Sequence, residues 1–134
     1  MNDRMDRAVP GWFWAVAVLA VLWEAFGCYV YVSQSLLPDA QREGGYAQMA
    51  SWQWGVFAVA VWSGLIGAVL LLLRNRWAVA LLLVSLLAAA VQYGVAAAQG
   101  GIAPEARPIA IAVLVVGVFL VIIASRARRA GWLR

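Results

Sequence analysis

The sequence predicts an all-α integral membrane protein: a bundle of four transmembrane helices with both termini cytoplasmic. Four observations carry that expectation. Hydrophobic residues make up 66% of the 134 and charged ones only 12%, too few to give a domain of this size a polar shell. Four apolar runs are each long enough to cross a hydrocarbon core, which takes about 20 helical residues. Those runs are continuous rather than alternating, which excludes a membrane β-barrel. The arginines, finally, sit at the ends of the runs and not within them.

The first helix is expected over residues 11–33, following Pro10 and carrying one acid, Glu24, inside "LAVLWEAFGCYV". Arg4 and Arg7 before an apolar run also fit a targeting signal, but Ala25-Phe26-Gly27-Cys28 is a poor lipoprotein cleavage box, so this helix is expected to stay uncleaved. Residues 34–52 form an outer loop containing Pro38, Asp39, Arg42, Glu43 and the turn Gly44-Gly45. Its last part, "YAQMASWQW", suits either a short surface helix or bare loop. The second helix is expected over 53–73 and the third over 77–98, with only Arg74, Asn75 and Arg76 between them, which makes a tight antiparallel hairpin. Gly100-Gly101 marks the next turn. The fourth helix is expected over 108–125, carrying nothing more polar than Gly117, and is read as peripheral or as an oligomer contact; a basic cytoplasmic tail, 126–134, completes a single membrane domain.

Orientation follows from the arginines. With both termini inside, the inner face carries Arg4, Arg7, Arg74, Arg76, Arg126, Arg128, Arg129 and Arg134, and the outer loops only Arg42 and Arg107. Eight against two is a strong positive-inside bias, which predicts cytoplasmic termini with the tail lying on the anionic inner leaflet. Trp12, Trp14, Trp77 and Trp132 mark the inner interface, and Trp52 and Trp54 the outer one. The basic balance is thereby explained without nucleic acid, because no basic patch is interleaved with exposed aromatics. One cysteine and no histidine leave no means of making a disulfide, a zinc site or an iron-sulfur site, and no cofactor is implied. No nucleophile with a base, no metal set and no phosphate loop points to an enzyme.

At 3.6 residues per turn, the first helix gathers Ala17, Ala20, Glu24, Gly27, Cys28 and Tyr31 on one face. The second gathers Ala60, Ser63, Gly64 and Gly67, a small-residue stripe of the kind that lets helix backbones approach. The third gathers Ser85, Ala88, Ala89, Gln92 and Ala96. Counting heights from the inner ends places Glu24 at about 20 Å, Trp62 and Ser63 at about 16–17 Å and Gln92 at about 24 Å. Tyr29 and Tyr93 lie next to that level. A proton- and substrate-binding set of Glu24, Trp62, Ser63, Gln92 and Tyr93 is therefore expected near mid-membrane. A lone carboxylate at that depth disfavours insertion by about 2.5–3.5 kcal/mol, so Glu24 must find partners or hold a proton. Proton exchange at one acid suits a coupled carrier; a merely structural bond from Glu24 to Gln92 or Ser63 suits the same pattern.

"PGWFWAVAVLAVLWEAFGCYVYV" and "FAVAVWSGLIGAVLLLLRNRWAVALLLVSLLAAAVQY" together resemble a family of small bacterial inner-membrane proteins often labelled "sugar transporter". Its pattern is a proline-tryptophan start, leucine-tryptophan-asparagine in the first helix, a glycine-rich second helix ending in basic residues, and tryptophan-alanine opening the third. The resemblance covers about residues 10–98 and implies four helices and a solute-transport role; Glu24 stands where that family carries asparagine. "WEAFG", "VWSGLIG" and "GVFLVIIASR" are also locally similar to small multidrug resistance transporters, which place an essential glutamate in their first helix. The tryptophan-serine-glycine element belongs to the third helix there and to the second here, and the arginine bias is one-sided, so dual-topology dimerisation is not carried over. Two functions remain: a small-solute transporter or a component of one, working as a homo-oligomer, or an accessory subunit packing against a larger membrane complex through its small-residue faces.

Overall fold

A computed structural model describes residues 9–42, 46–47, 49–101 and 104–134. Arg4 and Arg7, used in the orientation argument, and the Gly44-Gly45 turn lie outside the described residues. The described residues form four long helices, α1 (Gly11–Ser35), α2 (Ser51–Leu72), α3 (Ala78–Ala98) and α4 (Arg107–Arg129), with single 3-10 turns at Asp39–Gln41 and Pro104–Ala106 and no strand. All four helices are long and apolar enough to cross a membrane. Each run is thus a helix of spanning length within two residues of its expected bounds, with one exception. Helix α4 continues through Arg126, Arg128 and Arg129, because cations in a last turn are favoured by the negative end of the helix dipole. The expected loose basic tail is therefore half helix.

The helix ends show how local chemistry sets these bounds. Pro10, held at φ −57° and ψ 144°, delivers the chain into α1 from an extended conformation. At the far end of α1 the Arg42 side chain donates from Nε to the Gln34 carbonyl (3.0 Å) and from a terminal nitrogen to that of Ser35 (3.3 Å), capping groups that the helix leaves without partners. The Gln53 side chain accepts the Ala50 N–H at 2.8 Å and starts α2. Of the stretch read as either a short surface helix or bare loop, Tyr46 and Ala47 are in 3-10 conformation, Gln48 lies outside the described residues, and Ser51 to Trp54 already belong to α2. Between α2 and α3, Arg74 takes the left-handed conformation, φ 60°, letting the Asn75 N–H close back on the Leu70 carbonyl at 2.8 Å. Asn75 Oδ1 then accepts the Trp77 N–H at 2.8 Å and opens α3. Gly100 and Gly101 both have positive φ, as the expected turn requires.

Four alternating helices bring the start of α1 and the residues after α4 to the same end of the bundle, where Trp12 meets Trp132 edge to face with centroids 5.7 Å apart. The helices pack in chain order, α1 on α2, α2 on α3 and α3 on α4. The dense core lies at the terminal end. There Phe13, Ala17 and Ala20 of α1, Ala68 and Leu71 of α2, Ala78 and Leu82 of α3 and Leu120, Ala124 and Ala127 of α4 form one buried cluster, and Leu133 closes it. Helix α4 is thus a full member of the bundle, and its Gly117 is an inward position, where a Cβ would stand 2.9 Å from Leu86 Cδ1. Leu19, Leu22, Phe26, Val59, Ile66, Leu87, Val115 and Ile122 are exposed and give the bundle the apolar outer surface that a bilayer solvates.

The closest backbone approach in this core is at Gly67, where a Cβ would fall 2.9 Å from Leu82 Cγ and 3.0 Å from the Leu82 backbone nitrogen. Gly67→Ala should lower stability by about 1–3 kcal/mol through overpacking. Gly55, on the same helix with nothing within 4 Å of its Cβ position, serves as control. Gly55→Ala should leave thermal unfolding in detergent unchanged or raise its midpoint.

Candidate functional site

The register between helices decides where Glu24 goes. Gly27 of α1 meets Val61 of α2, and Cys28 bonds the Val61 carbonyl, so in this antiparallel pair Glu24 falls opposite Gly64; Gly67 meets Leu82 of α3, which brings Ser85 to the same level. The carboxyl meets both. A Cβ placed on Gly64 would lie on the Glu24 carboxyl, 2.7 Å from its Cδ, and 2.8 Å from Ser85 Oγ. Only a glycine leaves that space. Glu24 is therefore turned inward, half-buried among α1, α2 and α3 and away from the lipid-facing surface.

Above it lies a cavity of about 150 Å³ in the loop half of the bundle. Helix α1 contributes Trp23, Glu24, Phe26, Gly27 and Val30; α2 contributes Phe57, Ala60 and Val61; α3 contributes Ser85, Ala89, Gln92 and Tyr93; and α4 contributes Ile109 and Val113. Tyr46, from the long loop, completes the wall. Its ring stacks on Phe57 at 5.8 Å with planes 14° apart, and Tyr31 and Trp54 pack on Phe57 at 5.2 and 5.9 Å. The Arg42 guanidinium lies 4.8 Å from the centroid of Trp54. An aromatic layer thus lies at the loop end over the cavity, and the last part of the long loop contributes to it through Tyr46.

The expected set divides in two. Glu24, Gln92 and Tyr93 share the cavity. Trp62 and Ser63 do not: Trp62 is 42% exposed on the outer surface of α2, and the Ser63 hydroxyl donates to the Val59 carbonyl of its own helix. Tyr29 is likewise an outward residue, 67% exposed. Height alone had aligned Trp62 and Tyr29 with Glu24, and Ser63 was read on the same face as Gly64, but a residue of rise along a helix also turns the side chain by about 100°. Gly64, one position beyond Ser63, faces inward, and Trp62 faces out. Ser85 belongs to the site in place of Ser63, a position marked in the sequence by its spacing of seven from Gln92, which puts both on one face of α3. Trp23, Tyr46 and Phe57 carried no such signal, since their role depends on how the loop and α4 close the cavity.

The polar groups are unequally satisfied. Ser85 Oγ donates to the Ala60 carbonyl at 2.6 Å, and Cys28 Sγ donates to that of Val61 at 3.3 Å, two bonds tying α2 to its neighbours. Gln92 reaches Met49 Sδ with its Nε2 at 3.7 Å, and its Oε1 is buried with no hydrogen-bond partner among the described residues. No donor among the described residues engages the Glu24 carboxyl. The cavity consequently presents acceptors, the Glu24 oxygens, Gln92 Oε1 and the lone pairs of Ser85, to an aromatic and aliphatic interior that holds no arginine. Chemically, such a chamber accommodates a proton, or a small molecule carrying N–H or O–H donors on an apolar body. An apolar cavity of about this size holds a molecule as large as benzene.

No family model, no curated protein and no solved structure matches the chain. The class that fold and site define is a small four-helix protein able to cross a membrane, with a carboxyl-bearing cavity between its helices.

Because the Glu24 carboxyl and a Cβ at position 64 claim the same space, the two positions should be strongly coupled. Gly64→Ala should be destabilising in the presence of Glu24 and much less so in the Glu24→Ala background, a coupling of about 0.5–3 kcal/mol in a double-mutant cycle of detergent unfolding.

Proposed function

We propose that this protein is a small-solute carrier of a bacterial inner membrane, or a component of one, in which proton and solute alternate at Glu24. The observation that carries the reading is the inward carboxyl, seated on a glycine and without a bonded donor, at the floor of a cavity that also buries the free acceptor Gln92 Oε1. A membrane protein that needed only packing at this level would gain from an apolar residue in place of Glu24, since an intramembrane acid is unfavourable unless it is used. With the arginine-rich end inside, the cavity lies in the outer half of the membrane, beneath the aromatic layer of Tyr31, Tyr46, Trp54 and Phe57. Glu24 then serves as the exchange site, Gln92 and Tyr93 orient the solute, and the surrounding rings exclude water. Four helices are few for alternating access, so two or more copies act together.

The other reading, an accessory subunit, relied on small-residue faces to hold a partner. Gly64, Gly67 and Gly117 are already occupied by Glu24, Leu82 and Leu86 of the same chain, which favours the carrier.

Reconstitution into proteoliposomes tests this directly. Small amines and alcohols offered under an imposed pH gradient should give solute-dependent proton movement that falls to background in Glu24→Gln and weakens in Gln92→Leu. Unchanged proton movement in Glu24→Gln would exclude the mechanism. A dialkylcarbodiimide, which attacks protonated carboxyls in apolar surroundings, should label the wild-type chain at Glu24 and be slowed by a transported solute.

A further inference from the structure

The terminal end of the bundle carries a second built feature, independent of the cavity. Beyond α4, Gly131 takes a positive φ of 82° and turns residues 132–134 back against the hairpin between α2 and α3. The return is fixed by main-chain bonds. The Arg134 N–H donates to the Arg74 carbonyl at 2.7 Å, the Arg76 N–H donates to that of Arg134 at 2.9 Å, and Arg74 Nε reaches the Trp132 carbonyl at 2.8 Å. Trp132 packs edge to face on Phe13 at 5.7 Å, and Leu133 is buried. The final segment is therefore a strap, and its position fixes which arginines come together.

Arg76, Arg128 and Arg134, from three different segments, line one open groove of about 610 Å³ whose remaining walls are Trp77, Ala80 and Leu133. Arg74 spends its side chain on the strap. None of the other three guanidinium groups is paired with a described residue, and all three residues are exposed. Cations gathered around one groove repel each other unless an anion lies between them. A guanidinium fork matches phosphate oxygens, and the apolar wall of Trp77, Ala80 and Leu133 matches the glycerol and first methylenes of a lipid better than it matches water. The groove also stands at headgroup depth, at the end of the bundle carrying Trp12, Trp14, Trp77 and Trp132.

We propose that this groove binds the phosphate headgroup of an anionic phospholipid, held by Arg76, Arg128 and Arg134 and seated against Trp77. The bound lipid joins the strap to the α2–α3 hairpin from outside, so its binding should also tighten the terminal end.

The test compares two variants of equal charge. The full-length chain, purified in neutral detergent, is titrated with phosphatidylglycerol, with phosphatidylcholine and with inorganic phosphate, while retained lipid is counted by native mass spectrometry and thermal unfolding is followed. Arg76→Gln/Arg128→Gln should weaken phosphatidylglycerol retention about 30-fold, on the basis of about 1 kcal/mol for each guanidinium. Arg126→Gln/Arg129→Gln removes two exposed arginines that do not line the groove and should retain lipid as the parent does. Equal losses in both variants would show a diffuse basic field and overturn the site, as would phosphatidylcholine retained as well as phosphatidylglycerol. Inorganic phosphate that raised the unfolding midpoint as far as the lipid would overturn the lipid assignment in favour of a free anion. An unfolding midpoint in neutral detergent equal to the parent's identifies a variant as folded. Should the double variant unfold, Arg128→Gln alone, on an exposed helical position, supplies the same comparison against Arg129→Gln.

Discussion

The contact between a carboxyl group on α1 and a bare Cα on α2 governs how this bundle is built. Glu24 is the one acid inside any of the apolar runs, and the lack of a side chain at position 64 is what allows it to face inward. If that space were closed, the carboxyl would have to rotate toward the acyl chains, where no donor can reach it, or push α1 off α2. Both neighbouring helices adjust to the same point, since Ser85 fills the remaining side and fastens α3 to the Ala60 carbonyl. Three helices are thus registered against each other by one polar group, while α4 joins through alanines, leucines and Gly117 further down.

This registration divides the molecule along its length. Toward the termini the small residues let backbones close up, and the interior is filled by Phe13, Leu71, Leu82 and a row of alanines. Toward the loops the facing residues are larger, Trp23, Phe57, Gln92 and Tyr93, and their bulk holds the helices apart around a chamber that the long loop roofs with Tyr46. Packing and hollow follow from the same rule applied to different side chains: interhelical distance is set by what lies between the axes. The carboxyl sits at the boundary between the two regimes.

Much of the fold could be read from residue order, because spanning length, arginine placement and the three-residue 74–76 connection all act locally. The helix faces were legible as well: Ala17, Ala20, Gly64, Gly67 and Ala89 are all inward, as the 3.6-residue period requires. The site was legible in part. Glu24 and Gln92 could be placed by face and height together and Tyr93 by height, whereas Trp62 matched in height while pointing out, and Ser63 shared the small-residue stripe of Gly64 yet bonds its own helix; Ser85 was read on the Gln92 face but not drawn into the site. The missing ingredient was the register between helices: Gly27 stands at Val61 and Gly67 at Leu82, so heights counted from separate helix ends do not share one origin. Tyr46 and the C-terminal strap were beyond reach for another reason, that each depends on contacts between segments far apart in the chain.

The hollow half has a mechanical consequence. A folded chain responds to hydrostatic compression mainly where atoms fail to fill space, since voids are the volume that compression can remove. Here the cavity between the helices lies on the loop side of the Glu24 level, so squeezing the molecule should disturb the roof residues before the closely packed alanine-rich core. The same inequality makes the two ends unlike as materials: one transmits force as a solid, and the other absorbs it.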